Sequence, residues 1–470
     1  MNKTSLLNSL YNDINDIILK RQHPVTGLLP ASTAITTHGD YTDAWVRDNV
    51  YSIMSVWSLS MAYRRNGEKI RCDELEQSTI KLMRGLLQSM MRQAPKVEKF
   101  KHTSDPMDCL HAKYNTHTGL NVVDDHEWGH LQIDATSLFL LMIAQMSASG
   151  LRLINTIDEV DFIQNLIYYI AFAYRIPDYG IWERGNKINN GKTEINASSV
   201  GMAKAALQAL DGLNLFGRDG NPRAIVHTIP DAISRARNTL SHLLPRESMS
   251  KEVDSAILSI IGFPAFAVGD QQLIKTTRDK ILSELGGKYG CKRFLWDGHQ
   301  TAIEDHSRMY YEHSELANFE HIESEWPLFY TYLYIQALFE GDFEMSQKYR
   351  EQLESLMVEV DGKKLLPELY YVEQENIEAE RKNPGSQPRK PNENIPLVWA
   401  QSLYFTGLML DEGLIEQDDL DPLKLRSRST KSTNAQLALV ILAENDSVKQ
   451  QLAEKSVLAE TINDISPVKV

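Results

Sequence analysis

The sequence predicts an all-α fold in which about twelve helices pair into hairpins around a common axis, an α/α toroid. Three observations predict it. Apolar residues recur at helical spacing along most of the 470 residues. Sustained strand-like alternation is absent, and the residues that can do chemistry fall in the connections between periodic segments. A helical solenoid would give a similar helix count, but no internal repeat of about 30 to 50 residues supports one.

The first segment, residues 4–21, places Leu6, Leu7, Leu10, Ile14, Ile17 and Ile18 on one side. Further periodic segments cover 48–65, 74–94, 131–149, 157–175, 197–211, 230–243, 252–262, 271–285, 324–340, 344–358 and 396–412. Asp73 and Ser250 read as helix starts, and Glu325-Trp326-Pro327 opens a helix with Pro just inside it. Short extended pieces are expected near 24–36 and 291–296. Residues 371–395 are polar, with Pro384, Pro388 and Pro391, and read as a loop or flap. Residues 1–425 form one barrel, and 426–470 read as a C-terminal extension, helical or partly disordered.

A hydrophobic fraction of 42% with 24% charged residues suits a globular protein with a large core. The net charge of −14 argues against a nucleic-acid partner and against anchoring to an anionic membrane. Asp13 and Asp16 interrupt the N-terminal segment, which is not read as a signal peptide, and no apolar run reaches about 18 residues. Cys72, Cys109 and Cys291 lack metal-like spacing and read as reduced, packed thiols in a cytoplasmic chain. The sequons at Asn2, Asn196 and Asn445 are then incidental.

Chemistry concentrates in a few connections. Glu183 follows Trp182 in a loop marked by Gly180 and Gly185. An indole stacks on the apolar face of a pyranose and also raises a neighbouring carboxyl toward the range of a general acid. Glu368 follows Pro367 amid apolar residues, poorly placed for solvent. Two such carboxyls, roughly 6.5–9.5 Å apart with a water between, are what inverting cleavage of a glycosidic bond requires. Taken alone, Glu183 equally suits a surface carboxylate paired with Arg184, and Glu368 an ordinary loop carboxylate.

Trp45, Arg47 and Asp48 combine an indole, a planar fork of donors and an acceptor, a set that orients sugar hydroxyls. The bland alternative is a buried Arg–Asp pair locking a loop to a helix start, with Asp48 or Asn49 as cap. His126-Glu127-Trp128-Gly129-His130 matches the zinc-protease pattern H-E-x-x-H, which needs both imidazoles on one helix face. Gly129 interrupts that helix and no third ligand follows, so no metal is expected. The stretch reads instead as a loop in which Trp128 and His130, with Gln132 and Asp134, line a polar pocket. Trp326 adds a wall, and Arg293 beside Phe294 and Trp296 suits a hydroxyl contact or core packing. No cofactor motif is visible.

Several stretches resemble the N-terminal domain of the phosphorylase kinase alpha and beta subunits. They are Pro24 to Ser32 through Asp43 to Tyr51, Leu110 to Asn115, Trp128 to Thr136, Ile181 to Gly185 and Asn196 to Lys204. The resemblance covers roughly residues 5–425, and that domain is similar in turn to the glucoamylase family of inverting glycoside hydrolases. It implies an (α/α)6 barrel, Glu183 as general acid and Glu368 as general base. It also implies that Arg47 and Asp48 grip the nonreducing-end glucose and that Trp45 and Trp182 wall the pocket. Arg293 matches loosely. Arg184 departs from the pattern, where many glucoamylases carry a second acid. The kinase subunits are far longer, so a chain of this length points to a free-standing, bacterial-type relative. The expectation is an inverting hydrolase that releases glucose from the nonreducing end of an α-glucan or maltooligosaccharide. The alternative is a non-catalytic, glucan-binding regulatory module.

Overall fold

Helices that are apolar on every side must be surrounded by others, whereas helices with one apolar stripe can face water. Both kinds alternate here. In the computed structural model, residues 3–32, 35–36, 39–182, 188–218, 220–308, 310–430, 441–461 and 463–464 are described. Helix α1 (Lys3–Ile17) leads to α2 (Val46–Arg65), then α3 (Lys69–Met91), α4 (Ala94–Thr103), α5 (Ile133–Ala148) and α6 (Ile157–Ile170). There follow α7 (Ala197–Leu210), α8 (Ala232–Leu243), α9 (Leu258–Ile261), α10 (Gln271–Leu285) and a single turn, α11 (His313–Leu316). The last are α12 (Leu328–Glu340), α13 (Phe343–Ser355), α14 (Ile377–Lys382) and α15 (Val398–Asp411).

Helices α2, α5, α7, α9, α12 and α15 touch in that order, and α15 closes the ring on α2. They are buried almost all round; α2 hides Arg47 and Asn49 through Tyr63 without a break. The outer helices show a stripe instead, as in α8, where only Ala232, Ala236 and Leu240 are buried. Helix α1 lies on α2 and α15, α3 on α2, α6 on α5, α8 on α7 and α13 on α12, and α10 meets the strand at 291–292. This is the (α/α)6 toroid that the sequence predicts.

Several local expectations are corrected. Helix α3 begins at Lys69 rather than after Asp73, and α4 follows where Pro95 reads as a break, because Pro is tolerated in a first helical turn. The segment 252–262 yields only a 3-10 turn and the short α9; Asp254 caps that turn, while Ser250 Oγ hydrogen-bonds Glu194 instead. Residues 371–395 are not a free flap. Strands 370–372 and 389–391 pair antiparallel, and with 325–326 and 291–292 they form a four-stranded sheet. Helix α14 crosses between the first two, where Glu380 is buried and reaches Arg389.

The chain falls into two units, residues 1–430 and 431–470. The second, described by itself, holds a helix at Asp446–Glu454, capped by Asn445, and a parallel pair of two-residue strands, Leu442–Ala443 with Glu460–Thr461. All three cysteines are buried and unpaired. No helix among the described residues is long and apolar enough to cross a membrane.

Candidate functional site

The connections at one end of the ring enclose a cavity of about 500 Å³. Five of the seven tryptophans wall it: Trp45, Trp128, Trp182, Trp326 and Trp399. Their order follows from the elements that carry them. Trp45 ends a two-residue strand at the start of α2, paired with Lys113–Tyr114. Trp182 packs against Trp326 and Trp399 with ring centroids 5.8 and 6.4 Å away. Its Nε1–H donates to Asp254 Oδ1 at 3.0 Å, which fixes the indole plane. The buried Trp326 Nε1–H meets no acceptor among the described residues.

Charged groups are interleaved with these rings, and each cation is held by a carboxylate. Arg47 Nη1 donates to Asp134 Oδ2 at 2.8 Å and to Gln132 Oε1 at 3.2 Å, and its guanidinium lies 5.8 Å from the Trp399 ring centre. Arg293 makes a two-pronged contact with Asp297, Nε to Oδ2 at 2.6 Å and Nη2 to Oδ1 at 2.9 Å, and lies over Trp182. Lys113 places its ammonium 4.3 Å from the Trp128 ring centre, 5.0 Å from that of Trp45 and 3.8 Å from Asp43 Oδ2.

Glu368 reaches the cavity from a stretch whose backbone is tied on both sides. Leu366 N–H donates to Gln401 Oε1 on α15, and Glu368 N–H donates to the Asn394 carbonyl. The Glu368 side chain is buried, and Oε2 accepts from Gln300 Nε2 at 2.9 Å and Asn392 Nδ2 at 2.7 Å. Burial raises the carboxyl above the ordinary range, while the amide donors and the Arg293 charge pull it back. Deeper, Asp254 is raised to about 6 and Glu247 to about 8, both chiefly by burial.

Of the residues singled out in the sequence, Trp45, Arg47, Asp48, Trp128, Trp182, Arg293, Trp326 and Glu368 line one cavity. Glu183 and Arg184 lie outside the described residues; Trp182, immediately before them, is on the wall. Gln132, Asp134 and His130 are not on the wall. The first two are buried beneath Arg47, and His130 stacks on His111 with centroids 3.8 Å apart. Residues 126–130 form turns before α5 rather than a helix, so the two imidazoles of the H-E-x-x-H pattern do not share a helix face. The expected cap at Asp48 or Asn49 is corrected as well. Trp45 is the cap, and Asn49 ties the loop at Leu29 to the helix through paired bonds of 2.8 and 2.7 Å.

Sequence reasoning missed Tyr41, Lys113, His299 and Trp399 on the wall, and Gln300 and Asn392 behind Glu368. Lys113 falls within the Leu110 to Asn115 stretch that carries the resemblance, and Trp399 within the periodic segment 396–412, where it reads as core. Gln300 and Asn392 carried no local signal, since a lone amide in a polar loop has none.

The arrangement provides stacking faces, donors fixed in direction and acceptors between them, with each wall cation beside a carboxylate. That suits a neutral polyol. Comparisons with known proteins agree with the fold. The chain is 52% identical over 462 residues to a Drosophila melanogaster protein named "Probable phosphorylase b kinase regulatory subunit alpha", covering 97% of this chain and 37% of that protein. It is 50% identical over 462 residues to the liver isoform of the phosphorylase b kinase regulatory subunit alpha of Mus musculus, again 97% against 37%. The chain thus spans little more than a third of the length of these relatives. A solved glycosidase superposes with a TM-score of 0.62 at 17% identity over 88% of this chain and all of the other. A bacterial glucoamylase complexed with acarbose gives 0.56 at 14% identity, over 91% of this chain and 59% of the other. Residues 5–444 match the family described as Glycosyl hydrolases family 15, and the chain belongs to that family.

Proposed function

We propose that this chain is the glucoamylase-like part of a cytoplasmic regulatory protein of the phosphorylase kinase alpha type. In this reading its cavity takes the nonreducing end of an α-glucan or maltooligosaccharide as a ligand. The observation that carries the proposal is the wall of five indoles with locally paired charges, in a chain half identical to alpha regulatory subunits. Indole faces supply apolar contact to the pyranose. Arg47, Arg293 and Lys113, each already held by an acid, supply hydroxyl donors at little further ordering cost.

Titration calorimetry with maltotriose, followed by a glucose assay after long incubation, tests it. Saturable binding without glucose release is expected, with affinity at least about tenfold weaker in Trp45→Ala, roughly 1.4 kcal/mol. No binding of maltotriose or longer maltodextrins would sink the proposal.

A second reading, inverting hydrolysis, is favoured by one observation: the Glu368 carboxylate faces the cavity that Trp182, the neighbour of Glu183, also walls. Glu183 would protonate the leaving oxygen and Glu368 would accept the proton of the attacking water. Release of β-glucose that is lost in both Glu183→Gln and Glu368→Gln would establish this reading. Release that survives both would eliminate it.

A further inference from the structure

The segment between Arg293 and Trp326 turns back toward the cavity and delivers Gln300 to Glu368. Gln300 adopts φ +54, a left-handed backbone that non-glycine residues hold only when their surroundings fix them. The surroundings do so. Its N–H donates to Glu304 Oε2 at 2.6 Å, and Ser324 Oγ donates to the His299 and Gln300 carbonyls, both at 3.3 Å.

The side chain that results is fully engaged. Nε2 donates to Glu368 Oε2 at 2.9 Å and to the Tyr41 hydroxyl at 3.0 Å, and Oε1 accepts from Asn392 Nδ2 at 2.9 Å. The same Asn392 Nδ2 donates to Glu368 Oε2 at 2.7 Å. Oε2 therefore takes both amide donors, which fills its two lone-pair sites, and Oε1 takes neither. An amide, not solvent, fills the space between the Tyr41 hydroxyl and the carboxylate. Besides these, the Asn394 side-chain amide and the Arg293 charge also favour the ionised form of Glu368, and the His299 ring lies 3.3 Å from Gln300 Nε2.

We propose that Gln300 is a positioning residue: with Asn392 it favours the charged form of the Glu368 carboxylate, fixes its plane and saturates Oε2, so that the carboxylate meets a ligand in one orientation. That the ligand is a saccharide rests on the preceding proposal; the hold on Glu368 does not. Burial alone would drive this carboxyl toward its neutral form, and a neutral carboxyl both donates and accepts. The paired amides oppose that drive and give the carboxylate a fixed direction in the pocket.

The test is a carboxyl-carbon NMR titration of the whole chain carrying labelled glutamate, with the Glu368 signal identified by its loss in Glu368→Gln. Gln300→Gly removes the side chain while tolerating the left-handed backbone, and Asn392→Ala serves if that variant does not fold. Losing a donor to the charged form should raise the Glu368 midpoint by about one to two pH units. A midpoint unchanged in Gln300→Gly, or in Asn392→Ala where that stands in for it, overturns the proposal. Maltotriose titration of the same samples separates the two claims. A shifted midpoint without saccharide binding retires the glucan reading and keeps the role of Gln300.

Discussion

Removing Asp134 should cost more than the loss of one hydrogen bond, because it takes a buried carboxylate away from the buried Arg47 guanidinium at the cavity wall. Both side chains of the pair are about 5% exposed, with 2.8 Å between Nη1 and Oδ2. At an effective dielectric of about 20 the gross attraction at that distance is about 6 kcal/mol, much of it offset by the cost of taking two charges out of water. Deleting one partner leaves the desolvation cost of the other in place, so Asp134→Ala should lose about 3–5 kcal/mol. For the 430-residue unit, an unfolding entropy of about 2 cal/mol/K per residue translates this into a Tm lower by about 3–6 °C. Gln132 still accepts from Arg47 at 3.2 Å but cannot replace the charge. Replacing both partners, as Arg47→Met with Asp134→Leu, should recover most of the Tm because no buried charge is left unpaired. Maltotriose affinity, by contrast, should stay low in the double variant, since Arg47 lines the cavity. Differential scanning calorimetry on the three variants checks the first part and titration the second. A Tm within about 1 °C of the parent for Asp134→Ala, or a double variant as unstable as the single one, would refute the reasoning.

Two further outcomes are expected. Glu247, raised to about 8, and Asp254, raised to about 6, bind protons more tightly folded than unfolded. Their contribution to stability is therefore present below the ordinary carboxylate range and lost as pH rises through about 8, so Tm should fall over that window. Glu247→Gln should flatten the fall, and an unaltered pH profile of Tm would show that Glu247 is not the group responsible. Gly290 has φ +138, and a Cβ there would approach the Trp326 carbonyl oxygen to 2.2 Å, with the backbone of Pro327 also close. Gly290→Ala should cost about 2–6 kcal/mol, displace Trp326 and weaken maltotriose binding. A melting curve and affinity like those of the parent would contradict the close approach.

The amino-acid sequence by itself determined the helical fold class, because apolar residues recur at helical spacing without sustained strand-like alternation, whereas which helices are inner, such as α2, and which outer, such as α8, came from the tertiary structure. It also singled out residues that the fold brings to one cavity, such as Trp45 with Arg47, Trp182, and Glu368 after Pro367. Residues 371–395 were illegible because their order comes from pairing with distant strands at 325–326 and 291–292, and a two- or three-residue strand leaves no periodicity to read. That Gln132 and Asp134 lie behind the cavity wall rather than on it was illegible for a related reason. Polarity marks a side chain as needing a partner, but whether that partner is a sugar or Arg47 depends on which way the helix turns in the ring. Only the tertiary structure decided that Gln300, 68 positions from Glu368, would be its donor, since closing that distance depends on the whole of the intervening chain rather than on any residue near either.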